Sequence, residues 1–152
     1  FFMSLYDFLI ILHVFSAILG IGPGFVMIYI VTTAKNMQEL RHAYQIRNRV
    51  HHFVMIGGTL LLITGLGMAL IRPYLFTEVW YMVSLILYLI ALVGAPIFLS
   101  PRSKPIKQML AEVEGDEIPA KYEELAKDLF FYERITNIIF LIVILLMVTK
   151  PF

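Results

Sequence analysis

The strongest constraint on this chain is a set of four long apolar segments, each long enough to cross a lipid bilayer. They lie at about Leu5–Thr33, Val50–Ile71, Val79–Leu99 and Leu129–Val148. A membrane-spanning helix needs roughly 20 mainly apolar residues, so every segment qualifies. The sequence therefore predicts an all-α fold, a four-helix transmembrane bundle with antiparallel up-down topology.

The composition agrees with a single membrane domain covering residues 1–152. The chain is 60% hydrophobic and 15% charged, whereas a soluble domain has about 45–50% apolar and about 25% charged residues. The lipid bilayer is the expected partner, and a net charge of +1 gives no indication of nucleic-acid binding. The absence of cysteine excludes disulfides, thiolate metal sites, iron–sulfur clusters and cysteine nucleophiles.

Lysine and arginine residues concentrate in two connections, 35–49 and 100–128, and are nearly absent from the other connection and the ends of the chain. The positive-inside rule therefore predicts that both connections are cytoplasmic and both termini lie outside. The first segment has no basic n-region and no small-residue cleavage site, which favours a span over a signal peptide.

Proline and glycine positions predict how the helices begin and end. Pro23 should kink the first segment, and helix should continue past the membrane through Lys35–Arg49. The third segment should end at Pro96, followed by a separate helix from Ser103 to Glu114. Pro119 suits the first turn of a helix that continues into the fourth segment.

Two histidines lead helix faces that are rich in small residues. One face carries His13, Ala17, Gly20 and Gly24, and the other carries His51, Met55, Gly58, Leu62 and Gly65. Small residues let helices approach closely, or leave room for a flat ligand beside the histidine.

His13 is the strongest candidate functional residue because it lies about 12 Å along the helix from the start of its segment. A polar group at that depth requires a partner. A hydroxyl from Thr64, Ser84 or Tyr88 would satisfy it structurally. A ligand, a metal or a proton-handling role would satisfy it functionally.

Histidines on facing membrane helices are a known way to hold haem b. His13 and His51, however, are separated by about 15 Å along the membrane normal, so they could share one iron only if the helices tilt or shift strongly. The hypothesis is therefore haem bound by His13, with Met68 or Met82 as a second ligand, beside Gly20 and Gly65. His51 would then serve a separate site.

A second polar cluster is predicted near the cytoplasmic surface. Its members are His51, His52, Glu133, Arg134 and Asn137, with a Glu133–His51 contact at its centre. Such a cluster would titrate near neutral pH. The alternative is an interfacial helix start whose side chains reach water.

The pattern DFLIILHVFSAILGIGPGFV around His13, with ITGLGMAL ending the second segment, resembles small bacterial four-helix membrane proteins. The closest resemblance is to a family known as domain of unknown function 2269. More distantly, the chain is similar to the CopD and HemJ membrane domains. The resemblance implies a bacterial cell membrane, haem, porphyrin or copper handling, and His13 as a metal ligand. An intramembrane lysine expected from HemJ is missing from the third segment.

Three functions follow as hypotheses. The first is a haem- or porphyrin-binding membrane protein with a role in electron transfer. The second is a non-catalytic accessory subunit of a larger membrane complex. The third is a small proton-coupled transporter, which would need a homodimer because four helices are few for one carrier.

Overall fold

The computed structural model describes residues 3–151, and its regular elements are all helical. Four continuous helical stretches are long and apolar enough to span a membrane: Leu5–Thr32, Met37–Ile71, Val79–Glu112 and Ala120–Thr149. The elements in order are α1 (Leu5–Ile21), a 3₁₀ turn (Gly22–Val26), α2 (Met27–Thr32), α3 (Met37–Ile71), a 3₁₀ turn (Pro73–Thr77), α4 (Val79–Gly94), a π-helical turn (Ala95–Leu99), α5 (Ser100–Glu112) and α6 (Ala120–Thr149).

Local sequence signals fix where the helices begin. Ser4 and Asp7 form a capping box at the start of α1, which satisfies otherwise free N–H groups. The expected continuation of the first helix through Lys35–Arg49 is wrong, because that helix ends at Thr32 and residues 37–49 form the start of α3. The Asn36 side chain accepts from the Glu39 N–H and caps α3. Pro119 immediately precedes α6, as the sequence predicts.

The proline effects differ between the first and third segments. The expected interruption at Pro23 is confirmed, because the first segment tightens there into the 3₁₀ turn between α1 and α2. The expected end of the third segment at Pro96 is wrong. A wide π-helical turn accommodates Pro96, and the chain passes into α5 without leaving helical geometry.

The spans pack as two hairpin-like pairs, α1 against α3 and α4 against α6. The α1–α3 pair is the closer one because glycines meet at its crossing. A Cβ built on Gly20 would lie 2.5 Å from the Gly58 nitrogen and 2.6 Å from the Gly57 carbonyl carbon. A Cβ on Gly57 would overlap the backbone of Gly20. Glycine therefore permits backbone contact between these two helices.

We expect Gly20→Ala to lower the free energy of unfolding by about 1–3 kcal/mol, because the added methyl forces α1 away from α3. Gly22→Ala is the matched control. Gly22 has helical φ and ψ angles and nothing lies within 4 Å of its Cβ position. Reversible unfolding in mixed detergent micelles, followed by circular dichroism, measures both variants. Equal stability of the two would contradict a backbone contact at Gly20.

Hydrogen bonds from two tyrosines tie α4 to α3. The Tyr81 hydroxyl donates to the Gly65 carbonyl at 2.9 Å, and the Tyr88 hydroxyl donates to the Gly58 carbonyl at 2.6 Å. Both side chains are buried. These bonds connect the two helix pairs where their backbones remain apart.

We call the side where α1 and α4 begin the terminus side, and the opposite side the loop side. On the loop side, the start of α3 packs with α5 and the start of α6 around an apolar core. Arg41 on α3 donates to the carbonyls of Leu110 and Val113 and so caps the end of α5. The buried residues of this core are Val31, Met37, Leu40, Ala43, Tyr44, Ile106, Met109, Tyr122, Ala126 and Leu129.

Candidate functional site

A cavity of about 450 Å³ lies between the four spans, towards the terminus side. Volumes of this size are typical of small-molecule sites, which are also mainly apolar. The wall is almost entirely hydrocarbon. It is formed by His13, Val14, Ala17, Ile18, Ile21, Gly22, Phe25, Leu61, Leu62, Gly65, Tyr81, Ser84, Leu85, Tyr88, Val143, Ile144, Met147 and Val148.

His13 is held in this wall by Thr64, one of the three hydroxyl partners that the sequence suggests. The distance from His13 Nδ1 to Thr64 Oγ1 is 2.7 Å. The Thr64 hydroxyl also lies 2.8 Å from the Leu60 carbonyl and 3.1 Å from the Leu61 carbonyl. A hydroxyl has one proton, and these carbonyls can only accept it. We assign the Thr64 proton to these carbonyls, so that Thr64 accepts from His13 and the imidazole proton lies on Nδ1.

The other ring nitrogen, Nε2, carries a free lone pair. Within residues 3–151, the His13 side chain makes its hydrogen bond through Nδ1, and Nε2 is not among the fully buried atoms that lack a partner. His13 is half-buried and lines the cavity. A neutral imidazole with its second nitrogen hydrogen-bonded is the arrangement in which histidine binds a metal.

The hydroxyl groups of the remaining polar side chains in the wall donate hydrogen bonds to backbone carbonyls. Tyr81 and Tyr88 donate to α3, and Ser84 Oγ donates to the Trp80 carbonyl at 2.6 Å. His13 Nε2 is consequently the basic atom that this otherwise apolar wall offers to a ligand.

The other residues predicted for a haem site are placed differently. Gly65 lies beside the His13 ring, with Cε1 3.2 Å from its Cβ position, so a side chain there would crowd the imidazole. Gly20 lies at the α1–α3 crossing and does not line the cavity. Met68 packs beside Ala69 and Leu75, outside the cavity wall.

Met147 on α6 is the methionine that lines the cavity, and the sequence analysis missed it. It follows Val143 by one helical turn, so the two share a face. That periodicity was available from the sequence. What the sequence did not provide was the rotation of α6 about its axis.

His51 is exposed and lies far from His13. It precedes Thr64, the hydrogen-bond partner of His13, by thirteen positions on α3, a rise of about 20 Å. The expectation that the two histidines do not share one iron agrees with this placement.

The predicted loop-side cluster requires a correction, because Glu133 forms an ion pair with Arg47 and not the expected contact with His51. Arg47 precedes His51 by one turn of α3, and its longer side chain reaches α6. Arg47 and Glu133 are each only 8% exposed. His51, His52 and Arg134 are exposed, and Asn137 Oδ1 lies 3.8 Å from the Cβ position of Gly24.

Two cations flank the terminus side of the bundle. The Arg72 guanidinium lies 3.7 Å from the centre of the Tyr6 ring, and Lys150 Nζ lies 5.2 Å from that of Trp80. Arg72 ends α3 and Lys150 ends α6, two of the helices that wall the cavity.

No group of three or more His, Asp or Glu side chains in residues 3–151 could hold a bare metal ion. A site for such an ion therefore has no support in this part of the chain. A metal carried by an organic macrocycle has a different requirement, because the protein then supplies only one or two axial ligands.

The model of a family described as predicted integral membrane protein (DUF2269) matches residues 7–151. No curated protein and no solved structure matches the chain. The distant similarity to CopD and HemJ membrane domains stays a prediction.

Proposed function

The chain belongs to this family of predicted integral membrane proteins, and we propose that it binds haem b or a related porphyrin in the cavity between its spans. His13 would bind the iron through Nε2. The observation that carries the proposal is His13 in the wall of an apolar cavity, held at Nδ1 by Thr64, an arrangement that assigns the lone pair to Nε2.

The chemistry of the wall fits a porphyrin. The hydrocarbon lining suits a flat apolar macrocycle, and Gly65 lets the imidazole pack against α3 at the cavity wall. Porphyrins also carry carboxylates, which need cations or water. Arg72 and Lys150 on the terminus side are the cations nearest in sequence to the cavity-lining parts of α3 and α6.

The residues proposed to hold the group have separate tasks. Thr64 keeps the His13 ring in one tautomer and orientation. Met147 replaces Met68 as the proposed second ligand, since methionine opposite histidine is an established haem arrangement and Met147 lines the cavity. A bound haem would supply one-electron chemistry, which matches the electron-transfer hypothesis.

The direct test is an absorption titration of the purified full chain with hemin in mild detergent, followed by dithionite reduction. We expect a saturable Soret band at one haem per chain, and sharpened α and β bands on reduction. A spectrum identical to hemin in empty micelles would remove the proposal. That result would favour the two other hypotheses. The partner is a larger membrane complex for the accessory subunit, and a second copy of the chain for the transporter.

Thr64→Val tests the orienting hydrogen bond, because valine keeps the shape of threonine and removes Oγ1. We expect hemin affinity to fall by about 10–100-fold, the usual cost of losing a partner that orients a metal-binding histidine. Thr59→Val is the matched control on the same helix, since the exposed Thr59 hydroxyl bonds only its own helix at Met55. Equal affinities for the two variants would exclude the proposed role of Thr64.

A further inference from the structure

We propose that the cavity opens sideways into the bilayer between α1 and α6, so that its ligand arrives from the lipid phase. This inference rests on the proposed function for the identity of the ligand. It adds the route and the class of substrate: an apolar, membrane-dissolved macrocycle and not a water-soluble one.

The first argument is the distribution of exposure among the residues of the wall. On the α1 side, Val14 is 51%, Ile18 65% and Phe25 36% exposed. On α6, Ile144 is 37% and Val148 76% exposed. These side chains line the cavity and are at the same time exposed, as expected of residues at an open edge of the wall.

The walls formed by α3 and α4 are closed by contrast. Leu61, Gly65, Tyr81, Ser84 and Tyr88 are all buried. The hydroxyls of both tyrosines donate hydrogen bonds to carbonyls of α3 and so hold α4 against α3. The opening is therefore confined to the α1–α6 side.

The position of the opening along the spans decides which solvent it meets. Its exposed lining residues on the α1 side run from Val14 to Phe25, a length of about 16 Å along the helix. Every residue in this stretch is apolar or small except Ser16, which is buried. An opening of this kind inside a membrane span faces lipid hydrocarbon.

The test compares hemin uptake by the full chain in phosphatidylcholine vesicles whose bilayer already contains hemin. Ile18→Trp and Val148→Trp place bulk at the opening. We expect each to slow the appearance of the Soret band, measured relative to that variant's own final amplitude, by about tenfold or more, corresponding to about 1.4 kcal/mol of added barrier. Ile63→Trp is the control, because Ile63 is 59% exposed on α3 and does not line the cavity.

The outcomes separate the two proposals. If wild type binds no hemin at equilibrium, the proposed function fails. If wild type binds hemin and Ile18→Trp is no slower than Ile63→Trp, the lateral opening is overturned and haem binding stands.

A second copy seated over α1 and α6 would also overturn the opening. The chain lacks cysteine, so Ile18→Cys introduces a unique thiol. Treatment with a short bismaleimide in vesicles should leave this variant monomeric. Efficient formation of covalent dimers would show that another protein molecule covers the opening.

Discussion

Replacing His13 by leucine is expected to abolish hemin binding while the protein stays folded. Leucine keeps most of the side-chain volume and removes both ring nitrogens, so the iron loses its proposed ligand. The substitution leaves no buried hydroxyl without a hydrogen-bond partner, because Thr64 still donates to the carbonyls of its own helix. We expect the Soret titration to show at least a 100-fold loss of affinity, about 2.7 kcal/mol, with unchanged helicity.

His51→Leu is the control for this experiment, since His51 is exposed on the loop side and lies outside the cavity. It should bind hemin as the wild type does. His13→Gly gives a positive test as well, because free imidazole can take the place of the missing ring. Adding imidazole to this variant should restore the Soret band. A His13→Leu variant that retains the wild-type spectrum would disprove the assignment of His13 as ligand.

Much of the fold follows from the sequence because the bilayer imposes it. Four apolar segments must form four helices, and Pro23 predicts the interruption of the first. Two expectations at segment ends were wrong. The first helix does not continue past Thr32, because Asn36 caps a new helix, α3. Pro96 normally ends a helix, but a π-helical turn absorbs it, and that choice depends on packing around the turn.

The site could be predicted only in part. The depth of His13 in an apolar span required a polar partner, and Thr64 was among the three hydroxyls named. The selection of Met147 over Met68 depends on how each helix is rotated about its axis. Near-uniform hydrophobicity hides that rotation, because lipid-facing and inward-facing residues of a membrane helix have similar character. The glycine contact between Gly20 and Gly57 depends on the same information.

Breaking the Arg47–Glu133 ion pair is expected to cause the largest single loss of stability. Both side chains are buried where the spans meet the loop-side core. Glu133→Gln leaves the Arg47 charge without its partner, and we expect a loss of about 3–5 kcal/mol in the free energy of unfolding. Asp128→Asn is a matched control on the same helix. Asp128 pairs with Arg102 at 3.1 Å, but its side chain is 60% exposed, so a loss below about 1 kcal/mol is expected.

The double variant Arg47→Met/Glu133→Leu separates the net contribution of the ion pair to the free energy of unfolding from the cost of leaving one buried charge without a partner. Removing both charges leaves no unpaired ion, so most of the stability lost in Glu133→Gln should return. Unfolding of the wild type, Arg47→Met, Glu133→Leu and the double variant in mixed micelles gives the four free energies of the cycle, and a large coupling energy is expected. Additive losses would mean that each side chain is solvated independently. Recovery in the double variant would show that the pair specifies how α3 meets α6, because apolar side chains can then replace it without loss of stability.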